Sequence, residues 1–355
     1  MKKSFKIIVI LITVTCGIFY GITYHPGQIE EEDFISADNA PILKVGEKIK
    51  VLSWNIQFMA GNKNNKFFFD GGNDTWPSKK TVENTIKEVA RIIKSENPDI
   101  ILLQEVDDGS KRTHYSDQLK ELLLLLPKSY SSHASSFYWK TKFVPHPSIM
   151  GSVGMKLSTI SKFKINKAFR HSLVSKSNDN FLVRHLSIKR AVSEVYLPLA
   201  NGKNLHVLNT HLSAFANGSN TMELQVSKVD ELLDKVERSG NYGFIGGDFN
   251  LIPPGKHFDL LPEKSKKYYN SKGTEIKVLF DKYKTVPSYE QLNGPDYMKW
   301  MTYTSKANKY PKADETIDYF IFTKGVNFGK HYVRSEDTLL ISDHLPLITY
   351  ITIPE

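Results

Sequence analysis

The sequence predicts an α/β protein in which β-sheets pack face to face and helices cover the outside. Two observations support this fold class. Segments that are apolar on both faces, as buried strands are, alternate with segments whose apolar residues recur at helical spacing. In the middle of the chain, several strand-like segments follow one another with few helices between them. Such a mixture favours stacked sheets with a few covering helices.

The composition is that of a globular protein with a basic surplus. Hydrophobic residues make up 40% and charged residues 24% of the 355 positions, which suffices for a full core in one domain. The net charge of +9 favours an anionic partner, such as a phosphate ester, nucleic acid or acidic lipid headgroups. The single cysteine, Cys16, excludes disulfides and cysteine metal sites from the rest of the chain, as suits export.

The N-terminus has the layout of a signal sequence, with a basic start, an apolar middle and a polar exit. Lys2, Lys3 and Lys6 precede an apolar run at 7–22, and an acidic cluster follows at 30–33. The run is within the range for a membrane span and lacks a small-residue cleavage site, so we expect an uncleaved anchor rather than a removed signal peptide. The lysines favour a cytoplasmic N-terminus and an extracytoplasmic remainder, which would be secreted if the segment were cleaved.

Three regions are predicted along the chain. Residues 1–22 form the transmembrane anchor, and residues 23–47, which lack periodicity, form a linker. Residues 48–355 form a single folded domain, which we expect to be monomeric.

The folded domain is predicted to begin with a buried strand at 49–56. A helix opens at Pro77 and ends at Asn97-Pro98. A strand at 99–104 and a helix from 116 to Pro127 come next. The remaining predictions are strands at 153–157, 184–197, 204–210, 242–246 and 316–322, and a helix at 222–236 that Gly240 stops.

Polar clusters stand at or just after the ends of predicted strands or in the loops that follow. They are Ser53-Trp54-Asn55, Gln104-Glu105, Asn209-Thr210-His211, Gly247-Asp248-Phe249-Asn250, Ile317-Asp318-Tyr319 and Ser342-Asp343-His344. One such cluster alone is more often a turn former or a helix cap. Buried strands avoid charged ends unless something satisfies them, and converging strand ends are where α/β proteins carry their sites. The combination therefore predicts a functional site.

In this order the clusters resemble the endonuclease/exonuclease/phosphatase superfamily, which includes deoxyribonuclease I, exonuclease III, neutral sphingomyelinases and inositol polyphosphate phosphatases. The resemblance covers the chain from about Ile49 to Pro346 and includes every motif of the series. It implies a four-layer α/β sandwich of two mixed β-sheets flanked by helices, as in deoxyribonuclease I. It also implies a metal-dependent phosphoric-ester hydrolase.

The residue types fit that chemistry. Hydrolysis of a phosphate ester needs a hard cation, and Mg²⁺ prefers one or two carboxylates together with waters and substrate oxygens. Glu105 is the expected primary ligand with Asn55 beside it, for Mg²⁺ or alternatively Mn²⁺. By resemblance, His344 is the general base that activates water, and Asp318 holds its imidazole in the right tautomer.

The resemblance gives roles to four further residues. Asp248 would orient the nucleophile or share a metal, and Asn250 would donate to a non-bridging oxygen. Asp343 would serve a second metal position or the histidine. His211 would stabilise the phosphoryl group and help the leaving oxygen. Attack would be in line, without a covalent intermediate.

The substrate is less well defined by the sequence. The Thr210-His211 pair resembles sphingomyelinases and inositol phosphatases and argues against abasic-site repair. An anchored enzyme would also lie within reach of lipid headgroups. The stretch 136–143 mixes aromatics with lysines, as an interfacial loop or an ordinary packed loop would. The lysine-rich segment 256–284 suits lipid phosphate, single-stranded nucleic acid or plain solvation.

A long loop at 58–76, with three phenylalanines at 67–69 and two glycines at 71–72, is either a substrate-selecting insertion or packing against the rim. Three functions stay open. The first is a membrane-anchored phosphodiesterase or phosphatase that acts on lipid headgroups. The second is an extracytoplasmic nuclease that acts on DNA or RNA. The third is a non-catalytic surface module that binds phosphorylated ligands.

Overall fold

Two mixed β-sheets of seven strands each form the centre of the fold. The structure is a computed structural model that describes residues 2–61, 67, 74–176, 180–214, 216, 218–305 and 312–354. Within these residues the strands are β1 Ile29–Glu31, β2 Phe34–Ser36, β3 Lys48–Asn55, β4 Ile100–Asp107, β5 Ser132–Val144, β6 Gly151–Ser161, β7 Lys167–Ser172, β8 Ala191–Pro198, β9 Asn204–His211, β10 Tyr242–Asp248, β11 Lys284–Val286, β12 Asp318–Phe322, β13 Asn327–Val333 and β14 Leu347–Thr352.

The helices lie mostly outside the sheets. The α-helices of the described residues are α1 Lys2–Ile22, α2 Lys79–Glu96, α3 Gln118–Leu125, α4 Phe181–Leu186, α5 Thr221–Arg238, α6 His257–Leu260, α7 Glu263–Lys266, α8 Lys277–Lys282 and α9 Tyr289–Asn293. Short 3₁₀ helices occupy Gln57–Met59, Lys111–Thr113 and Tyr297–Trp300.

The strand order is β1-β7-β8-β9-β10-β12-β11 in the first sheet and β13-β14-β3-β4-β6-β5-β2 in the second. Each sheet has one parallel pair at its centre, β9 with β10 and β3 with β4. A helix makes the crossover in each pair, α5 in the first sheet and α2 in the second, as parallel neighbours require. The other pairs are antiparallel, so both sheets are mixed.

The apolar side chains form three main clusters that correspond to a four-layer arrangement. Val51 of β3 packs into the cluster between the two sheets, whereas its neighbours Leu52 and Trp54 pack into the cluster under α2 and α3. This alternation is the two-residue period of a strand that is buried on both faces. A third cluster joins α5 and α8 to the outside of the first sheet. The predicted four-layer sandwich is therefore confirmed.

The best-predicted element is α2. The Ser78 hydroxyl accepts a hydrogen bond from the Thr81 amide at 3.1 Å and so caps the first turn. Asn97 ends the helix in the left-handed conformation at φ 48°, which asparagine tolerates, and Pro98 cannot continue the helix. Its buried face consists of the apolar positions that the sequence pattern marks, Val82, Ile86, Val89, Ala90 and Ile93 among them.

Residues 23–47 do not run free as a linker, contrary to the prediction. β1 pairs with β7 at the edge of the first sheet, and β2 pairs with β5 at the edge of the second. The guanidinium of Arg170 in β7 lies 3.9 Å from the Glu30 carboxylate of β1. Edge pairing uses backbone hydrogen bonds, which leave no periodic side-chain signal in segments of three residues.

Two further predictions need correction. The predicted strand at 184–197 begins only at Ala191, because residues 181–186 form α4, which the Asn180 side chain caps. The stretch 136–143 is not a loop but part of β5, and Tyr138 within it is fully buried. Strands β7, β11, β13 and β14 also had no predicted counterpart.

The structure describes only part of the loop predicted at 58–76. Phe58 and Phe67 are buried, with ring centroids 5.3 Å apart, and so favour packing for these two side chains. Phe68, Phe69, Gly71 and Gly72 lie outside the described residues.

Candidate functional site

The two parallel strand pairs bring their polar ends to one edge of the sandwich. Asn55 at the end of β3 lies beside Gln104 of β4, and His211 at the end of β9 lies beside Asp248 of β10. In each parallel pair, the carboxyl ends of both strands lie at the same edge of the sheet, so the topology brings these strand ends together.

Two antiparallel strands add the remaining residues. Asp318 begins β12 and pairs with Asp248, so it lies at the edge where β10 ends. Ser342, Asp343 and His344 come just before β14, whose Leu347 pairs with Ser53 of β3. A strand that starts at this edge delivers the residues before it to the same site. All eight predicted site residues therefore meet at one edge.

Two cluster residues link the sheets beneath the site and face away from the solvent. The Gln104 amide nitrogen donates to the Asn209 side-chain oxygen at 2.8 Å. Asn209 in turn donates to the carbonyls of Leu103 and Ser158 at 3.0 and 3.1 Å. These fully buried hydrogen bonds fix the spacing of the two sheets, which sets the distance between the two halves of the site.

His344 and Asp318 form a buried pair. His344 Nδ1 lies 2.9 Å from Asp318 Oδ2, and His344 Nε2 lies 3.5 Å from Asp248 Oδ2. Burial alone would lower the pKa of His344, but Asp318 and Asp248 outweigh it and raise the pKa to about 10. The Trp54 indole nitrogen donates to the His344 carbonyl at 2.9 Å and fixes the backbone behind the ring.

Asp248 is the hub of the cluster. Its Oδ2 lies 3.0 Å from Asn55 Nδ2 and 3.2 Å from His211 Nε2. Burial raises the pKa of Asp248 to about 7, with a further contribution from Asp318, while His344 opposes the shift. Burial also lowers the pKa of His211 well below its usual range, so this imidazole is neutral at physiological pH.

Glu105 is held in a strained backbone conformation. Its φ is 60°, which is unusual for a glutamate, and the pairing of β4 with β6 shifts register between Leu103 and Val106. This bulge turns the carboxylate toward Asn55, whose Nδ2 lies 3.2 Å from Oε1. Strain of this kind accumulates at functional sites. Burial and then the neighbouring Asp343 raise the pKa of Glu105.

Asp343 and Asn250 complete the predicted set. The Gln57 amide donates to Asp343 Oδ2 at 2.7 Å. Asn250 also has a positive φ, 50°, and its backbone amide donates to Asp248 Oδ1 at 2.9 Å. Its side-chain amide donates one N–H to the Leu212 carbonyl at 3.1 Å, and its second N–H is the group that could donate to a ligand.

The donor set fits a hard divalent cation. Glu105, Asp248, Asp318 and Asp343 are four carboxylates in one region, and the pKa values of Glu105 and Asp248 are raised first by burial and further by the neighbouring carboxylates Asp343 and Asp318. Oxygen ligands of this type suit Mg²⁺. Ligand atoms of Asp248, Asp318 and His344 also lie within 4.8 Å of one another. Because His344 and Asp318 already bind each other, Glu105, whose side chain is 20% exposed, is the more open carboxylate. The Asn55 side-chain oxygen, the atom that could bind a cation, accepts the Gln57 amide at 3.0 Å.

Some site residues carry no signal in the sequence pattern. Gln57 reaches Asp343 from the turn after β3, and the Tyr138 hydroxyl lies 3.3 Å from His211 Nδ1. The Tyr303 ring packs on His344 with centroids 4.8 Å apart. Arg190 lies just before β8 and is 7% exposed. No motif marked these four, although Gln57 stands only two residues after Asn55.

Comparisons with known proteins agree with this geometry. A family model described as "Endonuclease/Exonuclease/phosphatase family" matches residues 52–344. No curated protein sequence matches the chain. The structure of an endonuclease/exonuclease/phosphatase from Beutenbergia cavernae is similar, with 21% identity, 86% of this chain and 72% of that chain covered, and a TM-score of 0.59.

Two other solved structures share the fold. The human nocturnin catalytic domain with bound sulfate anion is 17% identical, with 90% of this chain and 97% of that chain covered and a TM-score of 0.52. An endonuclease/exonuclease/phosphatase from Bacteroides vulgatus is 15% identical, with 86% and 99% covered and a TM-score of 0.53. At these identities the likeness concerns the fold.

Proposed function

The chain belongs to the endonuclease/exonuclease/phosphatase family, and from this premise we propose that it is a Mg²⁺-dependent phosphoric-ester hydrolase acting on phospholipid or phosphorylated headgroups at the outer face of a membrane. The observation that carries the hydrolytic part is the His344–Asp318 pair, 2.9 Å apart, with Asp248 on its other side. This is an oriented general base next to a second carboxylate.

In the proposed reaction a water oxygen attacks phosphorus and the bond from phosphorus to the leaving oxygen breaks. His344 would take the proton of that water at Nε2, because Asp318 holds Nδ1. A pKa of about 10 keeps His344 protonated at neutral pH in the metal-free protein, so this role requires a bound cation at the site to lower that pKa. Asp248 orients the water from its position 3.5 Å from Nε2. His211, with its lowered pKa, is a neutral hydrogen-bond donor to a phosphoryl oxygen, so the leaving oxygen takes its proton from solvent.

The cation would be held by Glu105 and Asn55, with Asp343 as a further carboxylate, and it would neutralise the phosphoryl oxygens. Asn250 would direct its side chain to a non-bridging oxygen. These assignments rest on the types of the residues and on their convergence at one edge.

A membrane substrate is supported by where the chain enters the sandwich. α1 contains an 18-residue window, Phe5–Ile22, that is long and apolar enough to cross a membrane, and none of it is buried. Such a helix at an N-terminus is either an anchor or a signal sequence. Ile29 at the start of β1 pairs with His171, His171 with Val192, and Val192 with Thr210 beside His211. The first strand after α1 thus begins at the level of the site.

Contacts around α4 also support a membrane substrate. The Phe19 ring near the end of α1 lies 5.8 Å from the His185 ring of α4, and His25 lies 5.6 Å from it. α4 belongs to the connection between β7 and β8 at the site edge. If α1 stays in the bilayer, the site edge faces the headgroups.

The rim of that edge has the composition of an interfacial surface. Its exposed apolar side chains are Phe143, Met150, Val174 and Val183. They lie in or beside the connections from β5 to β6 and from β7 to β8, both at the site edge. Lysines such as Lys142 stand among them. Apolar groups beside cations suit an anionic membrane surface.

The test is a substrate panel for the full chain in nanodiscs, because residues 29–36 belong to the sheets and cannot be removed safely. Sphingomyelin, glycerophospholipids, phosphoinositides, plasmid DNA and RNA would be offered with Mg²⁺ or with EDTA. We expect release of phosphorylated headgroup or phosphate from a lipid, abolished by EDTA and lowered by at least about 1,000-fold in Glu105→Gln.

Glu88→Gln is the matched control, since Glu88 is exposed on α2 and pairs with Arg91. It should keep full activity. Cleavage of plasmid DNA or RNA with untouched lipid would replace the lipid substrate by nucleic acid. Retained ligand binding without turnover on any substrate would select the non-catalytic module instead.

A further inference from the structure

Residues 23–36, from here on the strap, connect the apolar helix α1 to the edge strands of both sheets. The strap is attached soon after it leaves the helix. The Ser172 hydroxyl donates to the Gly27 carbonyl at 2.6 Å, and the Ser172 amide donates to the Gln28 carbonyl at 2.8 Å. Even a fully extended chain over 22–27 reaches only about 18 Å. The end of α1 therefore stays close to Ser172.

Ser172 lies at the height of the candidate site. It pairs with Ala191 at the start of β8, and the next residue, Val192, pairs with Thr210. Thr210 directly precedes His211, so the attachment point stands at the edge of the first sheet where the site residues emerge. The strap thus ties α1 to the site edge and not to the opposite edge, where the turn between β8 and β9 lies.

The attachment is held from inside by Arg170, whose side chain is fully buried. Its Nη1 donates to the Ser172 hydroxyl at 2.7 Å, and its Nε donates to the Phe137 carbonyl of β5 at 2.8 Å. The central carbon of its guanidinium lies 5.6 Å from the centre of the Tyr24 ring, and the Glu30 carboxylate lies 3.9 Å from Nη1. One buried cation thus holds the strap, the first sheet and the second sheet together, and breaking such a network is strongly destabilising.

The first residues of the strap pack against α1 and α4. The Thr23 hydroxyl donates to the Phe19 carbonyl at 2.9 Å, and the His25 ring stacks on the Tyr20 ring with centroids 4.1 Å apart. The His25 ring also lies 5.6 Å from the His185 ring of α4. Phe19 belongs to the apolar window of α1, so α4 lies at the membrane surface when α1 spans the bilayer. These contacts restrict rotation of the folded domain about the anchor.

We propose that the strap holds the site edge against the bilayer in which α1 lies, so that the enzyme draws its substrate from the lipids of its own membrane. This inference rests on the proposed function and adds the source of the substrate, which is the facing leaflet rather than another membrane or the solution. A short tether gives the site a high effective concentration of lipid phosphate. A fixed orientation also removes the cost of orienting the domain at each encounter.

The first measurement does not depend on activity. Cys16 is the only cysteine, so Cys16→Ser gives a background in which Lys142→Cys at the site edge, or Lys324→Cys at the opposite edge, carries a single fluorophore. The full chain would be placed in vesicles of phosphatidylcholine, phosphatidylglycerol and sphingomyelin with nitroxide-labelled headgroups. We expect quenching at position 142 and not at position 324. Equal quenching at both positions, or none at either, as a cleaved domain would give, would overturn the proposal.

A longer tether tests the strap itself. A Gly/Ser insertion of about ten residues between His25 and Pro26 adds about 17 Å of flexible chain and keeps the attachment at Gly27. It should lower the quenching at position 142. The same insertion between Asn201 and Gly202, in the exposed turn at the opposite edge, is the matched control and should leave the quenching unchanged. Quenching that survives the first insertion would show that the strap does not orient the domain.

The second measurement uses turnover. Vesicles that carry the protein and one fluorescent form of sphingomyelin and phosphatidylglycerol would be mixed with protein-free vesicles that carry a second form. We expect the lipids of the carrying vesicle to be consumed at least about 100-fold faster than the others. The insertion between His25 and Pro26 should lower this ratio about five-fold, because the tether becomes three times longer.

The outcomes separate this inference from the proposed function. Equal consumption of both sets of lipids would reject the restriction to one membrane and keep the reaction. Quenching at position 142 without turnover of any lipid would keep the orientation and reject the reaction.

Discussion

The protein holds two buried groups of histidines and carboxylates that differ in where they lie on the strands. One group stands at strand ends in the candidate site and consists of His211, Asp248, Asp318 and His344. The other, from here on the Glu194 triad, lies within β7, β8 and β9 and consists of His171, Glu194 and His206. The residue types are the same, so the difference between the groups is one of arrangement.

In the Glu194 triad each carboxylate oxygen has its own histidine. Glu194 Oε2 lies 2.7 Å from His171 Nε2, and Oε1 lies 2.7 Å from His206 Nδ1. Burial would raise the pKa of Glu194, but the two histidines outweigh it and lower the pKa to about 2. Among the described residues, the other ring nitrogens, His171 Nδ1 and His206 Nε2, are enclosed and have no hydrogen-bond partner.

In the site, one oxygen serves three neighbours. Asp248 Oδ2 lies 3.0, 3.2 and 3.5 Å from Asn55, His211 and His344. The pKa of Asp248 rises to about 7 and that of His344 to about 10. Pairs of groups whose environments push their pKa values away from the ordinary ones are typical of acid–base sites. In the Glu194 triad, both carboxylate oxygens are paired within the sheet, which stabilises it. In the site, three side chains surround Asp248 Oδ2, an arrangement that suits the binding of a metal ion or a water.

The largest expected effect comes from the same truncation in the two groups. Asp318→Ala should lower kcat roughly 10,000-fold, because His344 loses the partner that fixes its tautomer. Glu194→Ala should leave kcat within about three-fold, since the triad contacts no site residue. Steady-state kinetics on the lipid substrate would measure both. Equal losses in the two variants would erase the functional distinction between the groups.

Stability should respond in the opposite order. Glu194→Ala leaves two buried histidines without their shared carboxylate and should lower the free energy of unfolding by roughly 3 kcal/mol. Asp318→Ala should cost less in metal-free protein, because it also removes one of several crowded negative charges. Chemical denaturation in EDTA measures both values. A smaller loss for Glu194→Ala than for Asp318→Ala would contradict the structural role of the triad.

The pH dependence of stability sharpens the comparison further. The pKa of Glu194 falls from 4.5 in the unfolded chain to about 2, so its contribution is present above pH 4.5 and is lost as the pH falls toward 2. That contribution is roughly 3 kcal/mol. Asp248 has the opposite sign, because its pKa is raised from 3.8 to about 7 and metal-free protein loses stability as the pH rises through that interval.

Unfolding measured at steps from pH 2 to pH 7 in EDTA would separate the two carboxylates. Glu194→Ala should flatten the acid limb below pH 4.5 and leave the slope above it. Asp248→Asn should leave the acid limb below pH 4.5 unchanged and reduce the loss of stability above it. An acid limb that persists unchanged in Glu194→Ala would show that other carboxylates produce it.

The predictable part of the fold is the part that local chemistry determines. α2 could be predicted from its apolar spacing, from Pro77 before its start and from Asn97-Pro98 at its end, all of which lie within the helix or beside it. The edge strands β1 and β2 could not, since three residues that pair through their backbones leave no pattern. The second half of α4, residues 184–186, was included in a predicted strand because a helix of six residues is too short to show helical periodicity.

In the site, too, the residues marked by local sequence patterns could be predicted and those defined by distant contacts could not. Asn55, His211 and Asp248 could be predicted because each lies at the end of a strand whose apolar run is visible in the sequence. Asp318, Asp343 and His344 precede or begin their strands and were identified from the motif series. Gln57 and Tyr138 could not be predicted, because their roles depend on Asp343 and His211, which lie 286 and 73 positions away.

The smallest expected effect tests the link between Tyr138 and His211. Tyr138→Phe keeps the aromatic face under Arg190 but removes the hydroxyl 3.3 Å from His211 Nδ1. The loss of one neutral hydrogen bond should lower kcat about three- to ten-fold. Tyr196→Phe is the counterpart in the other group, with its ring 4.0 Å from that of His206, and should leave kcat unchanged. Equal losses of activity in the two variants would show that the Tyr138 hydroxyl has no specific role in the site. A loss in Tyr138→Phe alone would show that this hydroxyl orients His211.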